Sequence, residues 1–394
     1  MKLRNLAILA TGLVLLAVIV AKQSMLYNKK NAKISINVSN WGEFMSNGSN
    51  SLMNVNYEFE KLTGVHVNYT TVSSNEEAYA KIKGGGVSYD VVILSDYMIA
   101  RMIAEKRLAK LNYANIPNIV NIMPNLKKLN YDPTGEYSVA YAWGTVGIVY
   151  NSKEIKEEVD GFNILWDEKF KNEILMFSNP RDAFAIALRK LNISFNTRRK
   201  EDILAAAKEL KKQKHLIQAY VMDEIFDKMQ TEEALIAPYY SGDVINMMND
   251  NQNLKFVFPK EGTNRFVDAA CIPINAKYKE AAELYINFLC EPGVALNNAL
   301  YGNCSTPNIK AFDLLPENVK NNKVAYPDEQ TLKNTQSYQF ISTELEEFMD
   351  SLWVEIMVAD ENNNVWVMPV FIFVCAAATI SLGVLRSHNK RQRV

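Results

Sequence analysis

The chain has 394 residues, 48% of them hydrophobic, and a formal net charge of -1. That length and apolar share suffice for one large core or two lobes of ordinary size, and they exclude disorder as the main state. The neutral total hides a division, because the first 30 and last 30 residues hold nine Lys and Arg and no acid, leaving 34 basic against 44 acidic side chains between 31 and 364. Such a middle attracts cations and repels nucleic acid, which removes nucleic acid from the partners to consider.

In chain order, residues 1–30 read as a signal peptide or signal anchor around the apolar run Leu6 to Ala21. No small-x-small cleavage site follows it and no cysteine lies near it, so an uncleaved anchor is the expectation. Short apolar runs then read as strands: ISINV (34–38), VHVNY (65–69), DVVIL (90–94), VGIVY (146–150), EILMF (173–177), LIAPY (235–239) and KFVFP (255–259). Between them the patterns predict helices at Ser51 to Leu62, Asn75 to Lys83, Arg199 to Lys212 and Tyr278 to Leu289. The last places Ala281, Tyr285, Phe288 and Leu289 on one face, and Pro292 follows as a stop. Strands alternating with helices predict an α/β fold.

Residues 358–364 form a polar spacer, and Val365 to Leu385 is long enough to cross a bilayer as a transmembrane helix. The basic tail 386–394 places that end in the cytoplasm, so the acidic middle faces outward, membrane-anchored at the extracytoplasmic side. Cys375 lies inside the second apolar run, while Cys271, Cys290 and Cys304 show no C-x-x-C spacing and leave a disulfide between two of them open. With three histidines in the chain, a metal site or a histidine relay lacks material. Nucleotide, hydrolase and metalloprotease motifs are absent, and Gly84-Gly85-Gly86 lacks the Lys-Ser/Thr of a phosphate cradle. No cofactor and no metal is expected.

Aromatic residues and carboxylates recur together where strands give way to loops: Trp41 with Glu43, Ser95 with Tyr97, Asp182 in FSNPRDAF, Tyr239 and Tyr240 after LIAP, and Phe266 with Asp268. In open α/β sheets ligands bind at the carboxyl ends of strands, so residues spread from 41 to 268 can converge. An ammonium group leaving water regains its solvation from a carboxylate, and aromatic faces attract the same cation by about 0.5–2 kcal/mol each. The competing reading of each residue alone is a core aromatic or a surface acid. Paired carboxylates could also serve a hydrolase, but capture needs only charge and shape, so the expectation is a binding protein and not an enzyme.

The segments SNWGEF, SSNEEAYAKIK, YDVVILSDYMIARM, YSVAYAWGTVGIVYN, NPRDAFAIALRKLN, VFPKEGTNRFVDAACIPINAK, AAELYINFLCEPGVA and STPN stand in the order and approximate spacing of the polyamine periplasmic binding proteins. Over about residues 33 to 357 the chain resembles the spermidine/putrescine-binding component of an ABC transporter. The resemblance implies a two-lobed, type II periplasmic binding fold with residues 31–143 plus 267–315 in one lobe and 144–266 plus 316–357 in the other. It implies hinges near Ala142 to Val149 and Glu261 to Asp268, a polyamine ligand, ABC permease subunits as partners and a monomeric state. The ligand pocket of the family falls on Trp41, Glu43, Ser95, Tyr97, Asn179, Asp182, Tyr239, Phe266, Asp268 and Gln339. Asn179 stands for a possible acid, Gly42 for a small hydroxyl residue and Cys304 for a tyrosine, and a C-terminal membrane run is not usual in the family. The alternative is a membrane-anchored sensor of another small cationic solute, which the short tail would oblige to signal through a partner.

Overall fold

The computed structural model describes residues 34–42 and 44–358. Glu43, both apolar end runs and the basic tail lie outside the described residues, among which no helix is long and apolar enough to cross a membrane. The described residues up to Trp353 form one compact unit, and those from Val354 fall in a second.

The first unit is a mixed α/β structure built on strands β1 (Ser35–Asn40), β2 (His66–Thr71), β3 (Val91–Ser95), β4 (Ser138–Asn151), β5 (Ile174–Phe177), β6 (Ile217–Val221), β7 (Ile236–Tyr240), β8 (Leu254–Val257), β9 (Thr263–Cys271) and β10 (Thr335–Gln336). They run in the order β2-β1-β3-β9-β4-β7-β5-β6, with β10 on β9 and β8 on β4. Two parallel sets, β2-β1-β3 and β7-β5-β6, are joined through β9 and β4, which pair antiparallel with each other and with β3 and β7 respectively. β4 changes partner along its length: Ser138 to Thr145 face β9, and Val146 to Tyr150 face β7. The four apolar residues of β5 and the first four of β3 are all buried, as uninterrupted apolar runs require when both faces of a parallel set are covered.

The predicted strands are present, with two differences. β4 begins at Ser138 rather than Val146, and β6, β9 and β10 lie outside the predicted runs. The cause in β9 is that a buried strand carries Asn264 and Asp268, polar residues that break the apolar pattern and belong to the cleft described below. The four predicted helices are Val55–Thr63, Asn75–Gly84, Lys200–Gln213 and Lys279–Leu289. The first starts later than predicted because Asn54, not Ser51, provides the cap: its side chain accepts from the Tyr57 N–H, and Gly64 closes the other end at φ 73.

Four helices begin where strands end: Asn75–Gly84 after β2, Asp96–Ala104 after β3, Pro180–Lys190 after β5 and Ser241–Asp250 after β7. Their N-termini are thereby gathered at the carboxyl ends of both parallel sets. Beside the joint, Gly144 lies opposite Phe266, and a Cβ on that glycine would sit 2.6 Å from the ring's Cζ. Only glycine lets this ring lie flat against β4.

Candidate functional site

The strand ends surround a cleft of about 900 Å³, a volume that includes its open mouth. β1 supplies Trp41 beyond its end, β3 supplies Ser95, and β7 supplies Tyr239 and Tyr240. The helix starts supply Glu76, Tyr97, Asp182 and Asp243, and Phe266 and Asp268 project from β9 two positions apart, on one side of the strand. Five carboxylates line this space, those of Glu76, Asp182, Asp223, Asp243 and Asp268, and no Lys, Arg or His does so among the described residues.

Asp268 is 3% exposed and its Oδ1 accepts from the Ser95 hydroxyl at 2.7 Å. That hydroxyl is oriented by Asn75, whose Oδ1 takes the Ser95 N–H at 3.0 Å and whose Nδ2 donates to Ser95 Oγ at 3.1 Å. Asp182 is held from three sides, by the hydroxyl of Tyr338 at 2.6 Å on Oδ1, and by the hydroxyl of Tyr240 at 2.5 Å and Asn179 Nδ2 at 3.0 Å on Oδ2. Asn179 also caps its helix, accepting the Asp182 N–H at 2.8 Å, so its amide is committed to aligning the neighbouring acid. Tyr97 donates to Glu76 Oε1 at 2.9 Å. Burial pushes the phenols of Tyr97, Tyr240 and Tyr338 well up, which keeps them protonated donors.

One cation stands behind this wall. Arg181 is 4% exposed, does not line the cleft, packs its guanidinium on the rings of Tyr338 at 4.7 Å and Tyr97 at 5.9 Å, and donates from Nη2 to the Gln339 carbonyl at 3.1 Å. The two rings therefore screen the guanidinium from the cleft and leave its inner face acidic.

Of the residues expected in the pocket, Trp41, Ser95, Tyr97, Asn179, Asp182, Tyr239, Phe266 and Asp268 line the cleft together. Glu43 lies outside the described residues. Gln339 is exposed and absent from the lining; alternation in the extended segment turns the preceding residue, Tyr338, inward instead. Sequence reasoning passed over Glu76, Asp223, Asp243 and Tyr338. The usable signal for Glu76 and Asp243 is an acid in the first turn of a helix that directly follows a strand.

Burial pushes the Asp268 carboxyl up to about 7, against the pull of the Ser95 hydroxyl and with a further push from Asp182. The native state of the free protein then holds a proton that the unfolded chain releases near pH 4. The stabilising contribution is full below about pH 4 and is lost as pH rises through about 7. Glu346, also pushed up to about 7 by burial, slopes the same way, so the test is a difference. Chemical denaturation of the unliganded protein across that range should show Asp268→Asn flatter than the parent and more stable at pH 8, by on the order of 2–4 kcal/mol. Superimposable pH profiles would remove Asp268 from this role.

Residues 88–335 match the family model of the bacterial extracellular solute-binding proteins. The spermidine/putrescine-binding periplasmic protein of Salmonella typhimurium is 35% identical over 295 residues, covering 74% of this chain and 83% of that one. A solved Listeria monocytogenes structure assigned to a spermidine/putrescine ABC transporter superposes with a TM-score of 0.78 at 33% identity, covering 82% of this chain and 99% of that one. The spermidine/putrescine ABC transporter substrate-binding protein PotD of Streptococcus pneumoniae gives a TM-score of 0.69 at 34% identity, with 82% and 98% covered. The chain therefore belongs to the bacterial extracellular solute-binding proteins, as a relative of the spermidine/putrescine-binding periplasmic proteins.

Proposed function

We infer that the chain captures a linear polyamine of the spermidine/putrescine class in the cleft and delivers it to an ABC importer, without chemical conversion. The observation that carries this reading is the lining itself: five carboxylates and several aromatic rings, with no basic side chain among the described lining residues. Ammonium groups regain from carboxylates the solvation they lose, and rings of the size of Trp41, Tyr239 and Phe266 cover methylenes while attracting the neighbouring charge. No three acidic, histidine or cysteine groups among the described residues come together closely enough to hold a metal ion. The negative charge is therefore distributed along the cleft, a pattern that suits a chain of separated cations better than one compact ion.

Calorimetry of the detergent-solubilised full chain against putrescine, spermidine and spermine tests the assignment. Asp268→Asn keeps the shape and removes one buried charge, which should weaken binding by about thirtyfold to several thousandfold. Glu329→Gln, at a side chain 87% exposed, should change binding by less than about threefold. Tight binding of every polyamine by Asp268→Asn would show that the pocket is misassigned.

The same reading includes closure of two lobes, 31–143 plus 267–315 against 144–266 plus 316–357, as a monomer. The change of partner along β4 between Thr145 and Val146 supports a hinge there. Closure would exclude water and strengthen each charged contact. Small-angle scattering should show compaction on adding saturating spermidine, and an unchanged radius of gyration would count against a closing mechanism.

Anchoring at the outer face of the cytoplasmic membrane is supported by Leu6 to Ala21, Val365 to Leu385 and the basic tail. Protease added to intact protoplasts should remove the region from 31 to 364. Its survival would reverse the orientation.

A further inference from the structure

Glu76 lies in the first turn of the helix Asn75–Gly84, beside another acid with a different environment. Glu77 turns outward, where Ser73 binds its Oε2 through both N–H and hydroxyl at 2.8 Å and Lys81 pairs with its Oε1 at 2.6 Å. Glu76 turns into the cleft, where the Tyr97 hydroxyl occupies Oε1 while Oε2 is buried with no hydrogen-bond partner. A buried acceptor left open costs free energy that a ligand can recover.

The surroundings narrow what that ligand group can be. The turn Ser95 to Tyr97 binds both Glu76 and Asp268, through the Tyr97 and Ser95 hydroxyls respectively, so one short segment fixes the two carboxylates together. Asp182 already accepts from Tyr240, Tyr338 and Asn179, whereas Glu76 and Asp268 each take a single side-chain donor among the described residues. Of these three acids, Glu76 and Asp268 thus keep more capacity than Asp182 to accept further donors. Burial raises the affinity of both carboxyls for a proton, as expected of groups that lack a cation until ligand arrives.

We propose that Glu76 contacts an ammonium group of the bound amine through Oε2 and, with Asp268, makes the cleft select ligands that carry at least two cationic nitrogens. The proposal rests on the polyamine reading of the cleft and adds to it a specificity-determining residue that the family resemblance did not supply.

Calorimetry of the solubilised full chain with spermidine, putrescine and N-acetylputrescine, which has a single charge, separates the possibilities. Glu76→Gln retains an acceptor for the Tyr97 hydroxyl and removes the charge. It should weaken spermidine and putrescine by about thirtyfold or more and N-acetylputrescine by less than about threefold. Glu76→Asp, which keeps the charge, should restore most of the preference for the multiply charged amines. It also serves as the decisive variant where Glu76→Gln fails to fold. A residue that merely positions Tyr97 would lower all three amines equally, with Tyr97→Phe reproducing the effect, and that result overturns the proposal. Unchanged affinity for spermidine and putrescine in Glu76→Gln overturns it too. A parent chain that binds none of the three amines removes the polyamine reading itself, an outcome distinct from either.

Discussion

The site depends on the reversal of a field that the fold would otherwise impose. Gathering helix N-termini at strand ends collects free backbone N–H groups, each terminus equivalent to roughly half a positive charge, and such places ordinarily take anions. In this chain the first turns of the four helices carry Glu76 and Glu77, Asp96, Asp182 and Asp243. The helix ends stabilise these acids, and the acids in turn give the cleft its sign. Three of them, Glu76, Asp182 and Asp243, line it directly. Burial works against that support: it raises the carboxyls of Glu76 and Asp96 despite their helix positions, and pushes Asp268, which comes from a strand, up to about 7.

Tyrosine makes this concentration of negative charge tolerable. Each of Tyr97, Tyr240 and Tyr338 gives its hydroxyl proton to a cleft carboxylate and offers its ring to a neighbour: Tyr97 and Tyr338 meet edge to face at 5.7 Å, and Tyr240 meets Phe266 at 5.4 Å. Arginine or lysine in the same places would anchor the acids equally well but cancel their charge. The chain sets Arg181 one layer back, so the guanidinium compensates the acids at longer range while its Nη2 donates to the Gln339 carbonyl behind the rings.

β3 and β5 were legible because they are covered on both faces, and the helices because their caps and periodicity are local. β9 was not, since Asn264 and Asp268 interrupt its pattern for reasons that exist only in three dimensions. Part of the cleft lining was legible because an aromatic ring and a carboxylate recur together at several strand ends, and the strand ends of such a sheet converge. Glu76 escaped because it sits in a run, Ser73 to Glu77, that reads equally well as an ordinary capping sequence, and Glu77 does serve that cap. Tyr338 and Gln339 are adjacent, and only the direction of the extended backbone decides which of the two faces inward. The apolar ends and Glu43 lie outside the described residues, so their reading stays with the sequence.

The contact between Gly144 and Phe266 ties together two things that a modular design would keep apart. β4 and β9 are the strands that join the two parallel sets, and the ring that faces the cleft rests on the backbone of one of them at the point where it approaches its change of partner. Any change of curvature in β4 at that glycine would carry the ring of Phe266 with it, because no loop lies between the two. The strands that join the sheet thus also form part of the cleft wall, and a side chain at residue 144 would have to displace the ring that lines it.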